Sequence, residues 1–396
     1  MRMPGRSFVG PWRCGFPLAT VVVLASACAG RTSNTASVRD SAGITVVDNA
    51  APAAHRFRQV GTETTLDIGG ADGIAFDRVS AVVRFPDGRI AVADQTPRIL
   101  IFDAGGHPLL TLGRSGEGPG EFRMLGWLRL LGPDSLAAFD PFRDRVSIFA
   151  DDGHFARTLA PTSPAHGRIH SQLLGAFGDG TFLGRVTVPT ASSGGGVGLV
   201  RPSYRLERFG PDGTLLDSLT TVPGDELAVV QGVLVHARFA RHTWFAVDSA
   251  DVDVATSETF EIRTYDSRGT LRRIVRMPWT ARPVTAADVG PQVAGRPQIP
   301  EPPTFPAISG LLLDAAGNVW AKAFDEDPQA PGDWFVFDAT GRLLGDVVMP
   351  PRFQPMDIGG KDVLGVWRDS LDVEHVQRHP LLAGSGAGGG SGRSPR

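Results

Sequence analysis

The sequence predicts an all-β fold, a six-bladed β-propeller closed by an N-terminal strand that completes the last blade. Three observations predict it. A turn motif recurs five times, a second turn precedes each copy, and the chain carries 49 glycines and 31 prolines with few long helical patterns. Internal periodicity of this kind marks repeat architectures.

The recurrent motif is an aromatic residue, three residues, then glycine. It reads "FDAGG" (Phe102–Gly106), "FADDG" (Phe149–Gly153), "FGPDG" (Phe209–Gly213), "YDSRG" (Tyr265–Gly269) and "FDATG" (Phe337–Gly341). Each copy follows an alternating apolar strand. Each is followed by a second strand with an apolar residue six positions past the glycine: Leu112, Leu159, Leu219, Val275 and Val347. This is a β-hairpin signal, with glycine supplying positive φ and the polar turn residues bonding locally. The earlier turns are "FPDGRIAVAD" (85–94), "LGPDSLAAFD" (131–140), "FGDGTFLGRV" (177–186) and "DAAGNVWAKAF" (314–324), with "RHTWFAVD" (241–248) a weaker relative. Two turns and four strands make one blade. Glycine-to-glycine spacing runs from 47 (Gly106 to Gly153) to 72 (Gly269 to Gly341), so the blades carry inserts. A sixth unit, 353–377, lacks its final hairpin. Either "GITVVD" (43–48) or "TTLDIG" (64–69) can supply the missing outer strand and remove the exposed edges.

Residues 1–27 read as a lipoprotein signal peptide. Arg2, Arg6 and Arg13 precede an apolar run too short to span a bilayer, and "LASAC" ends it at Cys28, the expected lipidation site. The mature chain then keeps no free thiol, since Cys14 leaves with the signal and Cys28 carries lipid. Residues 28–42 are expected to be a flexible tether, 43–382 the propeller, and 383–396 a disordered Gly/Ser-rich tail. The formal net charge of -3 excludes a nucleic-acid footprint.

The loop "GRSGEGPGEF" (113–122) lacks the lysine of a phosphate-binding loop, the βαβ context of a dinucleotide fingerprint and the GxSxG of a nucleophile elbow. A crossover between blades remains, with Phe122 plugging the interface and Glu117 and Glu121 pairing with Arg114 or Arg123. That loop, the opening "DSAGITVVDNAAP" (40–52), the "FPDGRIAVAD" strand and the lipobox resemble bacterial six-bladed β-propeller lipoproteins related to NHL-repeat propellers. The resemblance spans about residues 40–380. It implies a fold and an exported location, and carries no reaction.

Counting back from the turn glycines places Arg78 and His170 before inner strands, with Arg123 and His236 at comparable positions. Together they make a candidate cationic mouth for an anionic or sugar-like ligand. The paired histidines of "HGRIH" (166–170) and "HVQRH" (375–379) lie about 13 Å apart on a strand, too far to share an ion. The acidic run Asp248, Asp251, Asp253 and Glu258 lacks the glycine bend of a calcium loop. No metal, cofactor or catalytic residue is therefore assigned. The expected function is an exported, lipid-anchored monomer acting as a binding or scaffold module in the cell envelope. Its partner is a protein or a small anionic or carbohydrate ligand, and its membrane contact is through the anchor alone. The competing reading is a metal-dependent propeller enzyme of lactonase or lyase type, with its site in the central channel.

Overall fold

The computed structural model describes residues 36–51, 57–70, 73–163, 167–168, 171–188, 197–291, 298–327 and 329–384. The signal peptide, Cys28, His166, His170 and the Gly/Ser tail after 384 lie outside the described residues. The fold is all-β, many small antiparallel sheets with, among the described residues, one short helix, Ala286–Val289. No helix among the described residues is long and apolar enough to cross a membrane.

Among the described residues six sheets of four or more strands follow one another in sequence. Sheet 1 is Ala81–Arg84, Ile90–Ala93, Ile99–Phe102 and Pro108–Leu112; sheet 2 is Trp127–Leu130, Ser135–Asp140, Arg145–Ala150 and Phe155–Leu159. Sheet 3 is Gln172–Ala176, Phe182–Val188, Ser203–Phe209 and Leu215–Pro223. Sheet 4 is Trp244–Val247, Asp251–Ala255, Glu261–Asp266 and Leu271–Arg276. Sheet 5 is Ile308–Leu313, Val319–Ala323, Asp333–Phe337 and Leu343–Val348. Sheet 6 takes Phe353–Ile358, Asp362–Arg368 and Glu374–Ala383 from the C-terminal part of the chain, and Leu66–Ile68 from the N-terminal part.

Of the two candidate N-terminal strands, it is therefore 64–69 that joins sheet 6, with Ile68 opposite Val376. Arg58–Val60 pairs further along the same strand. Ile44–Asp48 runs parallel to Leu271–Arg276 and extends sheet 4 instead. The segment expected to be a tether ends differently from that expectation. Ser37–Ser41 pairs with Ile44–Asp48 through a tight turn, in which Ala42 and Gly43 take positive φ. The alternating "SVRDS" can pair because that turn folds it back onto a ready strand edge.

Each pair of consecutive sheets shares one apolar core. Ala91 and Ala93 face sheet 2 while Ile90 and Val92, on the same strand, face sheet 6. Leu136 and Ala138 face sheet 1 while Ala137 and Phe139 face sheet 3. The second strand of these two sheets is thus buried on both sides, which is why IAVA and LAAF are continuously apolar instead of alternating. Similar cores join sheets 3 and 4, 4 and 5, and 5 and 6, and another joins sheet 6 back to sheet 1.

The recurrent motif is one geometry used five times. Gly106, Gly153, Gly213, Gly269 and Gly341 all have φ between 80° and 90°. Their amides donate to the carbonyl three residues back at 2.8 to 3.1 Å. The register shifts at or just before the motif's aromatic residue in every copy, the bulged hairpin in which glycine takes the left-handed position. The aromatic ring packs into the core shared with the preceding sheet: Phe149 against sheet 1, Phe209 against sheet 2, Tyr265 against sheet 3.

The loop at 113–122 crosses from sheet 1 to sheet 2, and Phe122 is fully buried in their shared core. Glu121 pairs with Arg114 at 2.7 Å, whereas Glu117 pairs with Arg143 and not with Arg114 or Arg123. Arg145 donates to the carbonyls of Glu117, Gly118 and Glu121, tying the loop to the next sheet.

Candidate functional site

In an antiparallel meander the turns alternate between two ends. Here the regular turns, first-to-second and third-to-fourth strand, fall at one end. The second-to-third connections and the crossovers between sheets fall at the other. That second end carries the irregular chain: residues 113–126, the three-stranded insert Gly198–Val200, Leu227–Val230 and Val233–Val235, and the stretch 277–307. Recognition concentrates on such connections when a rigid scaffold holds them.

A cavity of about 390 Å³ opens at this irregular end between sheets 4, 5 and 6. The starts of three first strands form it, through Trp244, Ser309–Leu312 and Phe353–Met356. Lys322, Gln329, Trp334, Arg352 and Arg368 complete the lining. Lys322 stands opposite both Gly310 and Trp334 in the strand register.

The three cations differ in how they are compensated. Arg368 donates to Glu374 Oε1 at 3.1 and 2.5 Å, and Glu374 is buried, so that charge is matched. Arg352 donates to the Gln329 side-chain oxygen at 3.1 Å and to the Asp369 carbonyl, both neutral acceptors. Its carboxylate neighbour, Asp372, is 3.8 Å away and exposed. Arg352 also holds φ of 61°, a costly conformation for a side-chain-bearing residue and one that recurs at functional sites. Lys322 has no ion pair or hydrogen bond among the described residues. Burial pulls its ammonium below the ordinary lysine value, with Asp325 acting against that shift. The Trp244 indole N–H is buried in the wall without an acceptor among the described residues. The cavity thus offers net positive charge, unsatisfied donors and two indole surfaces.

A second group sits toward the regular end of the first strands. Arg84 of sheet 1 lies 3.4 Å from Asp357 and 2.5 Å from Asp362, both of sheet 6. Arg129 of sheet 2 keeps accessible surface yet is walled in by protein. Burial lowers its guanidinium from the ordinary value and raises the Asp357 carboxyl; Asp357 opposes the first shift, and Arg84 and Arg129 oppose the second.

Of the residues picked from sequence, Arg78, Arg123 and His236 are described and lie at the irregular end, with no contact between them among the described residues; His170 lies outside the described residues. Arg78 precedes the first strand of sheet 1 and sits 3.5 Å from Asp77. Arg123 lies over Phe142, 5.5 Å from the ring centre, while its amide donates to Asp140. His236 stacks on His242 at 5.7 Å, and His242 lies 5.9 Å from Trp244 of the cavity wall. The acidic run does not converge: Asp248 caps its own turn, Asp253 accepts from Thr264, and Glu258 pairs with Arg201. His375 bonds Asp67 while His379 bonds the Gly61 carbonyl, so that pair serves the N-terminal strand. Among the described residues no group of three or more His, Cys, Asp or Glu is arranged to hold a metal ion. The cavity cations escaped sequence reasoning because they come from a second strand, a crossover and a strand end. One signal was present: Lys322 is one of only two lysines among 39 basic side chains.

No protein-family model matches the chain, and no curated protein matches it. Solved structures do. A protein of Bacteroides fragilis, named as a candidate exported protein, is 12% identical with a TM-score of 0.52, covering 85% of this chain and 99% of its own. A member of the DUF4221 family from Bacteroides vulgatus is 9% identical with a TM-score of 0.50, covering 83% and 98%. A streptogramin B lyase is 11% identical with a TM-score of 0.40, covering 78% and 84%. The two Bacteroides proteins are β-propellers, and their likeness places this chain in the same class of fold. At such identities the likeness is one of fold alone.

Proposed function

We propose that the protein is an exported, lipid-anchored, six-bladed β-propeller that acts as a binding module in the cell envelope and holds a small anionic ligand in the cavity between sheets 4, 5 and 6. The six sheets are its blades. The pairing of Leu66–Ile68 with Glu374–Ala383 and the core between sheets 6 and 1 support a ring closed at that point. Export and anchoring rest on the "LASAC" lipobox at Cys28, and a structural neighbour named as a candidate exported protein is in keeping with them. Arg78, Arg123 and His236 belong to the outer basic rim of the same face. A monomer suffices for this role. Exposed Phe142, Leu371, Val233 and Leu234 at the same end offer contact to a protein partner.

One observation carries the reading: Lys322 and Arg352 bring charge without a matching close carboxylate into one cavity beside two indoles. Tryptophan fluorescence titrated with small carboxylic acids, each beside its neutral amide, tests it. The acids are expected to quench and the amides not. Lys322→Met should weaken acid binding by about tenfold or more, the scale of a charge-assisted hydrogen bond. Equal binding of acid and amide would refute the anion site.

A further inference from the structure

Where this chain needs a fixed positive charge it uses arginine; Lys322 and Lys361 are its only lysines. A lysine differs from arginine in one chemical respect that matters here. Its amine can lose a proton within the physiological range when desolvated and then carries a nucleophilic lone pair. Lys322 is placed for that chemistry. Its stem passes Gly332, where a Cβ would stand 3.1 Å from Lys322 Cε, and the ring of Trp334. A side chain at 332 would crowd the stem. No carboxylate pairs with Nζ among the described residues, so nothing fixes the ammonium form at close range.

We propose that Lys322 Nζ captures the carbonyl group of a small oxo acid as a reversible imine, with the acid's carboxylate held by Arg352. This rests on the reading of the cavity as an anion site and names its ligand class. The neutral amine forms the N–C bond to the carbonyl carbon. The carbonyl π pair moves to oxygen, which takes up a proton while nitrogen releases one, giving the carbinolamine. Loss of that oxygen as water leaves the C=N bond, and no oxidant or reductant takes part. Arg352 is suited to the carboxylate because its present acceptors, the Gln329 amide oxygen and the Asp369 carbonyl, are neutral. Trp244 and Trp334 line the same cavity. The burial that depresses the lysine's proton affinity favours the reactive form.

The test is incubation of the folded full chain with pyruvate and sodium cyanoborohydride, which reduces an imine to a stable secondary amine, followed by peptide mapping. Labelling of Lys322 is expected to exceed that of Lys361, which is exposed and outside the cavity, by about tenfold or more, the least that oriented capture beside Arg352 should give. Acetone, which has the carbonyl without the carboxylate, should label Lys322 far less. Lys361→Arg should label as the parent does, and Lys322→Arg should not label. Equal labelling of the two lysines overturns the proposal. Tryptophan quenching by pyruvate without labelling overturns covalent capture and leaves the anion site standing. Absence of both overturns the two together.

Discussion

Asp253 sits on the second strand of sheet 4, facing sheet 5, with 5% of its surface exposed and a 2.5 Å hydrogen bond from Thr264. Burial raises its carboxyl from the ordinary 3.8 to about 6, against the pull of Thr264 and Arg273. The folded state therefore binds a proton more tightly than the unfolded chain does. Its contribution is fully present below pH 4 and is lost as pH rises through about 6. A shift of this size corresponds to roughly 3 kcal/mol at most. Asp253→Asn keeps the shape and removes the charge, so it should stabilise the protein at pH 7 by about 1–3 kcal/mol and leave stability nearly unchanged at pH 4. Urea unfolding of the two proteins at both pH values checks this; an equal offset at the two would contradict it. Reading from sequence put the same aspartate in a weak calcium-loop pattern, because spacing along a chain does not reveal that its side chain points into a sheet interface.

At the scale of elements, the recurrent hairpin explains why its glycine cannot be replaced. Positive φ is one reason, and the neighbour is the other. A Cβ at Gly213 would lie 2.3 Å from the Ala160 carbonyl oxygen at the end of sheet 2, and one at Gly269 would lie 2.6 Å from the Leu219 carbonyl of sheet 3. Gly132 has the same sign of φ, at 71°, but nothing within 4 Å of its Cβ position. Gly132→Ala is expected to cost about 1–2 kcal/mol from conformation alone. Gly213→Ala should cost more, by a margin that reports the contact between sheets. Denaturant midpoints of the two variants measure that margin, and equal losses would mean the hairpins do not brace their neighbours. The motif and its spacing were legible in the sequence because turn chemistry is local. The partner sheet was not, because a repeat has the same local pattern whichever neighbour it packs against.

For the whole molecule, the decisive contact is the one between chain segments far apart in sequence. Ile68 is 1% exposed between sheets 6 and 1, and Asp67 accepts hydrogen bonds from His375 and Gln377 at 2.9 Å each. If this strand completes the proposed ring, Ile68→Ala should destabilise the entire protein cooperatively by about 2–4 kcal/mol. Val38→Ala, in the exposed N-terminal hairpin strand, should stay within about 0.5 kcal/mol of the parent. Thermal unfolding checks both, and comparable small shifts would mean that the ends are joined by something else. Two strands of similar pattern competed for this place in the sequence. Ile44–Asp48 lost it to Leu66–Ile68 and paired with sheet 4, a choice made by packing across more than 300 residues of separation.

By itself the sequence determined the all-β class, the five hairpins with their glycines and the burial of Phe122. All of these follow from short-range turn geometry and alternation. Only the tertiary structure decided which strand completes sheet 6, and which basic residues meet. The sequence count singled out Arg78 and Arg123, each six residues before Arg84 and Arg129, the arginines that the first strands carry. The cavity gathers Lys322, Arg352 and Arg368 from two sheets and a crossover. A site of that kind depends on where separate strands begin and how the sheets rotate against one another, and neither quantity is written in any local run of residues.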